Sequence, residues 1–428
     1  MGVLSKQALE GIAAYKYKAG SYTFLDLQLN HFWNAAVEYL PLWMAPNLVT
    51  LSGTIIVAVT TALLLYLSPL LNGGAPGWAY ILCGVGLFVY QTLDAIDGKQ
   101  ARRTGSSSPL GQLFDHGCDA LSALLNTTTA SVAFSSGNTL FSFAGLTGVS
   151  VNFFFAQWDE YHTGTMSCGN GYYGVTEGQL TLIFCLIITG LFGDQIWLIH
   201  PLPLVPYTAG QLFIMTCFTS NVILCYSNVI NVFKAAPLAS DELGHKETSK
   251  AKAVMQLFPI VAVVVGGFFS MLVGPAHQVY LDAPLLLLFP FGLNFVLMSS
   301  RMIVCHMSKV PFTPQWRVLV PLAVFLAALY TPVVVAEVSP LGASAIYAAV
   351  VVAVYAHYIR NVVFEICVHL KISLLTLPKT STKKDDTSTT RAVSVVVLKP
   401  FDELIGINHE APPGSYRACN VDKANREP

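Results

Sequence analysis

From residue 47 to about residue 371 the sequence is a succession of apolar runs, each long enough to cross a bilayer and each followed by a short polar turn. Such runs leave few options. In hydrocarbon every backbone N–H and C=O has to be satisfied within the protein, so each run must be a helix. Ten spans are expected, at roughly 47–71, 78–98, 113–134, 138–157, 179–199, 209–232, 253–273, 283–305, 318–336 and 343–370. The second ends on Asp94 and Asp97, and the third is interrupted near its start by Asp115, His116 and Asp119. Charged residues are 11% of the chain, where soluble domains carry roughly 25%, and the mean hydropathy is +0.58. That is too little charge to coat the two or three soluble domains that 428 residues could otherwise form. The expected fold is an all-α polytopic membrane protein.

Lysine and arginine orient it. With ten spans, all 23 basic residues fall on the side shared by the two termini, counting Arg360 near the exit of the tenth span. The opposite loops, around 72–77, 135–137, 200–208, 274–282 and 337–342, have none. By the positive-inside rule both termini are cytosolic. The net charge of −1 argues for no nucleic-acid partner, and nine scattered cysteines without a CxxC pair indicate neither a zinc site nor a disulfide framework. The first 46 residues lack the apolar core and cleavage site of a signal peptide. They are expected to be a cytosolic or interfacial segment (1–46), its aromatic stretch from Phe24 to Trp43 lying in the headgroup plane. A transmembrane domain (47–371) follows, then a polar, low-complexity cytosolic tail (372–428) expected to be disordered.

The chemistry concentrates between residues 94 and 119. Asp94 and Asp97 are three apart and share one helix face; Asp115 and Asp119 are four apart and share another. A connection of about a dozen residues makes the two helices antiparallel neighbours, so four carboxylates converge at the cytosolic membrane boundary. Clustered anions at that boundary repel one another and lose hydration, so they need a compensating cation. The bland alternative, pairing with Lys99, Arg102 and Arg103, supplies only three cations for four acids. An all-oxygen cage suits two hard divalent ions, magnesium or manganese, which would polarise a phosphoryl group and bridge nucleotide phosphates. Gly98 and Gly111 would allow close backbone approach. Arg102 offers a guanidinium fork to phosphate.

The run Asp94-x2-Asp97-Gly98-x2-Ala101-Arg102-x8-Gly111-x3-Asp115-x3-Asp119 resembles the signature of the CDP-alcohol phosphotransferase family at all eight fixed positions. Pro46-Asn47 at the first span, Asp115-His-Gly-Cys-Asp119, and the stretch from Trp158 to Gly164 with Thr176-Glu177-Gly178 are similar to the eukaryotic choline/ethanolamine phosphotransferases. The resemblance implies transfer of phosphocholine or phosphoethanolamine from CDP-choline or CDP-ethanolamine to diacylglycerol, with release of CMP. It implies Asp94, Asp97, Asp115 and Asp119 as metal ligands and Asn47 and Arg102 as CDP contacts, with Gly98 and Gly111 lining the nucleotide. It also implies a homodimer in the membrane of the endoplasmic reticulum, or of the Golgi.

His116 and Asp119 compete as the general base for the lipid hydroxyl. Carboxylates engaged by metal are poor bases, so His116 is favoured. The remaining histidines, His162 and His306 among them, read as structural or rim residues. An ammonium headgroup suits aromatic faces beside an anion, which Trp158, Glu160, Tyr161, Tyr172, Tyr173 and Glu177 could supply from a loop after the fourth span. Two other readings stand beside this one. A sister enzyme would use CDP-diacylglycerol as donor, and a metal or solute transporter would use the aspartates as ion ligands, although transporters usually place such ligands at the bilayer midplane.

Topology gives a direct test. In a cysteine-free background, Gly74→Cys and Gln278→Cys are expected to label only from the lumenal side, and His245→Cys from the cytosolic side. Cytosolic labelling at position 278 would overturn the ten-span arrangement.

Overall fold

The computed structural model describes residues 2–16, 23–166, 173–235, 249–331 and 339–377. The expected disordered tail lies, from residue 378 on, outside the described residues. No strand forms among those described. The chain opens with α1 (Lys6–Ala14) and α2 (Phe24–Glu38), then α3 (Pro46–Leu67), α4 (Gly77–Arg103), α5 (Pro109–Ala133), α6 (Leu140–Thr163), α7 (Val175–Phe192) and α8 (Ala209–Ala235). After these come α9 (Lys250–Met255), α10 (Phe258–Leu272), α11 (Pro275–Asp282), α12 (Leu285–Ser308), α13 (Trp316–Tyr330) and α14 (Pro340–Leu370).

Each expected span corresponds to a helix, with α9 and α10 sharing the seventh. Eight of the described helical segments are long and apolar enough to cross a membrane. Two expected spans fall short of that measure. Helix α5 has the length but mixes Asp115, His116, Asp119 and a run of Ser, Thr and Asn into its sequence. Helix α13 has only 15 residues, and the stretch expected to extend it to 336 lies outside the described residues.

The boundaries around the acidic stretch differ from expectation. Helix α4 does not end at Asp97; it continues to Arg103, carrying Lys99 and Arg102 on helix. Helix α5 is unbroken and starts at Pro109, six residues before Asp115. Only residues 104–108 connect them, turning at Gly105 in the left-handed region (φ 64°). Ser108 then caps α5, its hydroxyl accepting from Gly111 N at 3.1 Å, with Pro109 at the first helical position.

Nor are α4 and α5 close neighbours along their length. Helix α3 packs along both, and α4 packs as extensively on α7. Small residues make these approaches possible. A Cβ on Gly53 would meet Tyr90 at 3.2 Å, and one on Gly86 would meet Thr60 at 3.1 Å. The second half of the chain surrounds α12, which touches α5, α6, α10, α14 and α1. Its apolar stretch is 89% buried, against 11% for α8, so α12 is the axis of the bundle and α8 lies at its periphery. Outside the bundle α2 buries Trp33 and Val37 against Val49 and Ile96, leaving Phe24, Leu27 and Phe32 exposed.

The crossing of α4 and α7 is the tightest test of this packing. A Cβ on Gly190 would lie 2.6 Å from the Gly77 carbonyl oxygen, a backbone atom that cannot rotate away. Gly190→Val is therefore expected to cost about 1–3 kcal/mol and to lower the thermal midpoint in detergent, followed by tryptophan fluorescence. An unchanged midpoint would mean that the two helices do not cross there.

Candidate active site

Tyr90, Asp94 and Asp97 recur at i, i+4 and i+7 on α4, and Asp115 and Asp119 at i and i+4 on α5, so one face of each helix is acidic. The structure brings Asp94, Asp97 and Asp115 into one group, with a carboxylate oxygen of each within 4.8 Å of the others. Asp119 lies beside it and not within it. Its Oδ1 accepts from the Tyr90 hydroxyl at 2.5 Å, and it contributes to the wall of a neighbouring cavity. Asp97 accepts from the hydroxyl of Thr50, at the start of the second turn of α3.

No cation cancels these charges. Among the described residues none of the four aspartates forms an ion pair with lysine or arginine. Two of the three nearby cations, Lys99 and Arg103, are committed to α2 and the turn after it, and the third, Arg102, is exposed. Lys99 Nζ donates to Asn30 Oδ1 (2.6 Å) and Asn34 Oδ1 (2.8 Å). Arg103 pairs with Glu38 (3.1 Å) and donates to the Val37 and Leu40 carbonyls. Asp94 Oδ1 and Asp115 Oδ1 are buried without a hydrogen-bond partner, which is costly for a carboxylate oxygen unless a cation meets it. Three converging carboxylates, two of which carry an orphaned oxygen, fit a hard divalent ion. Pairing with the adjacent basic residues, the bland alternative, does not occur.

The other expected residues frame this group. Asn47 Oδ1 faces Gly111, where an added Cβ would meet it at 3.4 Å. Gly98 is open, with only Arg102 Nη1 within reach at 3.8 Å, and the Arg102 guanidinium is exposed at the same helix end. His116 is 7% exposed, and its Nδ1 has no hydrogen-bond partner.

The expected headgroup loop is mostly not a loop. Trp158, Glu160 and Tyr161 lie in the last turns of α6 and are buried. Trp158 Nε1 and His162 Nε2 share Gln256 Oε1 at 3.0 and 2.9 Å. Glu160 Oε1 lies 3.6 Å from His306 Nε2, and the Tyr161 hydroxyl accepts from Phe312 N. These side chains bind α6 to the second half of the bundle. Glu177 is a capping residue, its Oε2 accepting from Gly174 N at 2.8 Å. Tyr173 lines the neighbouring cavity, and Tyr172 lies outside the described residues.

That cavity, about 320 Å³, was not anticipated. It lies between α5, α6, α7 and α8 and runs from Asp119 to Phe134 at the end of α5, 15 residues or about 22 Å along the helix. Asn126, Asn152 and Asn228 line it among apolar residues, with Phe134 and Phe213 at the far end. Thr50 and Tyr90 were also missed, although helical spacing links Thr50 to Asn47 and Tyr90 to Asp94.

Fold and site together define a polytopic membrane protein with an uncompensated acidic centre at one end of its bundle and a chamber leading from that centre between helices. The family model for CDP-alcohol phosphatidyltransferase matches residues 43–188, the stretch that holds α3 to α6 and most of α7 with every residue of the acidic signature. Human "Cholinephosphotransferase 1" is 34% identical over 308 residues, covering 72% of this chain and 74% of the relative. Two Dictyostelium discoideum relatives, "Uncharacterized CDP-alcohol phosphatidyltransferase class-I family protein 3" and "protein 2", are 34% and 32% identical over 71% and 88% of this chain and 80% and 88% of their own lengths. The chain belongs to the CDP-alcohol phosphatidyltransferase family.

The orphaned carboxylates make a prediction that needs no substrate. Magnesium or manganese should raise the thermal midpoint of the detergent-purified protein, by about 2.7 kcal/mol of stabilisation at a hundredfold excess over Kd. Asp94→Asn and Asp115→Asn relieve repulsion, so each should unfold at a higher temperature without divalent ion and lose most of the increment with it. Equal increments in wild type and both variants would remove the metal site.

Proposed function

We propose that the protein transfers the phosphoalcohol group of CDP-choline, CDP-ethanolamine or both to the hydroxyl of diacylglycerol, forming phosphatidylcholine or phosphatidylethanolamine and releasing CMP. One observation carries this reading: Asp119 stands both beside the acidic group and in the wall of the chamber. A water-soluble donor and a bilayer acceptor would thus meet at one point. The name of the human relative supports choline as one headgroup, and membership of a transferase family sets the transporter reading aside.

Asp94, Asp97 and Asp115, with Asp119 as fourth ligand, would hold two magnesium or manganese ions, which supply charge neutralisation to the pyrophosphate and polarise the phosphoryl group. Arg102, exposed beside Gly98, offers its fork to the same phosphates, and Asn47 and Gly111 take the nucleoside. The chamber takes part of the acyl region, and its asparagines give the glycerol esters hydrogen-bond donors. The lipid hydroxyl attacks the phosphorus next to the alcohol, His116 accepts its proton, and CMP leaves. Asp119 is the second candidate base, favoured by its place in the chamber wall. The acidic end is cytosolic, with both termini, and the enzyme works as a homodimer in the endoplasmic reticulum membrane.

The test is a purified enzyme supplied with diacylglycerol and each CDP-alcohol. Phospholipid and CMP should form with magnesium or manganese and vanish in excess chelator; turnover in chelator, or no product from either donor, sinks the proposal. His116→Ala should keep CMP affinity near wild type while turnover falls by roughly two to four orders of magnitude. Near-normal turnover in that variant would pass the role to Asp119.

A further inference from the structure

Helix α14 ends on Lys371 in the left-handed conformation (φ 56°), and Ile372 N closes the turn on the Cys367 carbonyl at 3.1 Å. This end motif reverses the chain. Residues 372–375 are half-buried, and Ile372 and Leu374 pack against the main hydrophobic core. The reversed segment brings the Leu374 carbonyl to Asn47, whose Nδ2 donates to it at 2.9 Å across 327 residues of sequence.

This bond settles which way the Asn47 amide points. A carbonyl oxygen accepts and never donates, so the end of the amide that meets Leu374 must be the NH2 group. The acceptor, Oδ1, is left facing Gly111, one turn of α3 from the Thr50 hydroxyl bonded to Asp97. Asn47 is only 9% exposed, so its amide is not free to reorient in solvent. An acceptor fixed at that place welcomes a base edge that carries an amino group and repels one that carries a carbonyl.

We propose that residues 372–377 form a positioning strap for the nucleotide site. Through the Leu374 carbonyl they lock the Asn47 amide so that its oxygen reads the exocyclic amine of cytosine and rejects uracil. The inference rests on the reading of this cleft as a CDP-alcohol site. It makes the segment after the last helix part of the site, in a region beyond the family match, which ends at residue 188.

The experiment measures CMP and UMP affinity of the full-length protein with manganese. Wild type should prefer CMP by roughly tenfold or more, and Asn47→Ala should lose both the preference and roughly three- to tenfold in CMP affinity. Ile372→Gly/Leu374→Gly, which frees the strap from the core, should reproduce that loss, and Leu374→Ala should show part of it. Combining the glycine pair with Asn47→Ala should add nothing, because both act through one amide. Retention of the manganese-induced thermal shift shows that each variant is folded. If wild type binds neither nucleotide, the CDP-alcohol reading itself fails. If Asn47→Ala alters the preference while both strap variants leave it intact, or if the losses add, the strap proposal fails alone.

Discussion

Four carboxylates have to be gathered at one end of a membrane bundle without being neutralised by the cations that the same sequence places among them. The fold solves this by drawing two of those three cations away and leaving the third, Arg102, exposed. Lys99 and Arg103 lie on the helix that carries Asp94 and Asp97, yet their side chains reach α2 and the turn after it. Charge that would have quenched the centre instead fastens an amphipathic helix to the bundle. The acidic group keeps its unmet demand for a cation, and that demand is what makes it a site.

The same constraint explains the place of α3. Helices whose facing flanks are acidic gain little from packing on each other, and α4 and α5 meet mainly near their five-residue turn. A helix of small and hydroxylated residues, with Gly53, Thr50 and Thr54 buried along it, lies against both and supplies the hydroxyl that meets Asp97. On the far side Asp119 of α5 borders a space and not a packed helix, and that space is the chamber. Nucleotide and lipid would approach one group of oxygens from two media.

Much of this was legible in the sequence because it is local. The spacing of Asp94, Asp97, Asp115 and Asp119 dictates their faces, and span-length apolar runs dictate helices. Reading stopped too early at Asp97 because a charged helix end resembles a loop by composition, although Lys99, Gln100 and Arg102 are good helix formers. The stretch from Trp158 to His162 was misplaced for a different reason. Its polarity suggests exposure, but its partners Gln256, His306 and Phe312 lie about a hundred residues or more away. No local pattern announces that pairing, nor the bond between Asn47 and Leu374. The chamber was invisible for the same reason, being a property of four helices and of none singly.

The knot at the end of α6 has a consequence for biogenesis. Trp158 and Glu160 lie within the stretch that matches the family, but Gln256, which accepts from the Trp158 indole, and His306, which lies against Glu160, belong to the second half of the chain. At ordinary rates of synthesis His306 leaves the ribosome on the order of ten seconds after Glu160. For that interval the half of the bundle that bears the acidic centre stands without the acceptor of the Trp158 indole N–H and without the imidazole that lies against Glu160. The boundary of the family match is therefore not a folding boundary. The packing of the first half is completed only when the second half arrives.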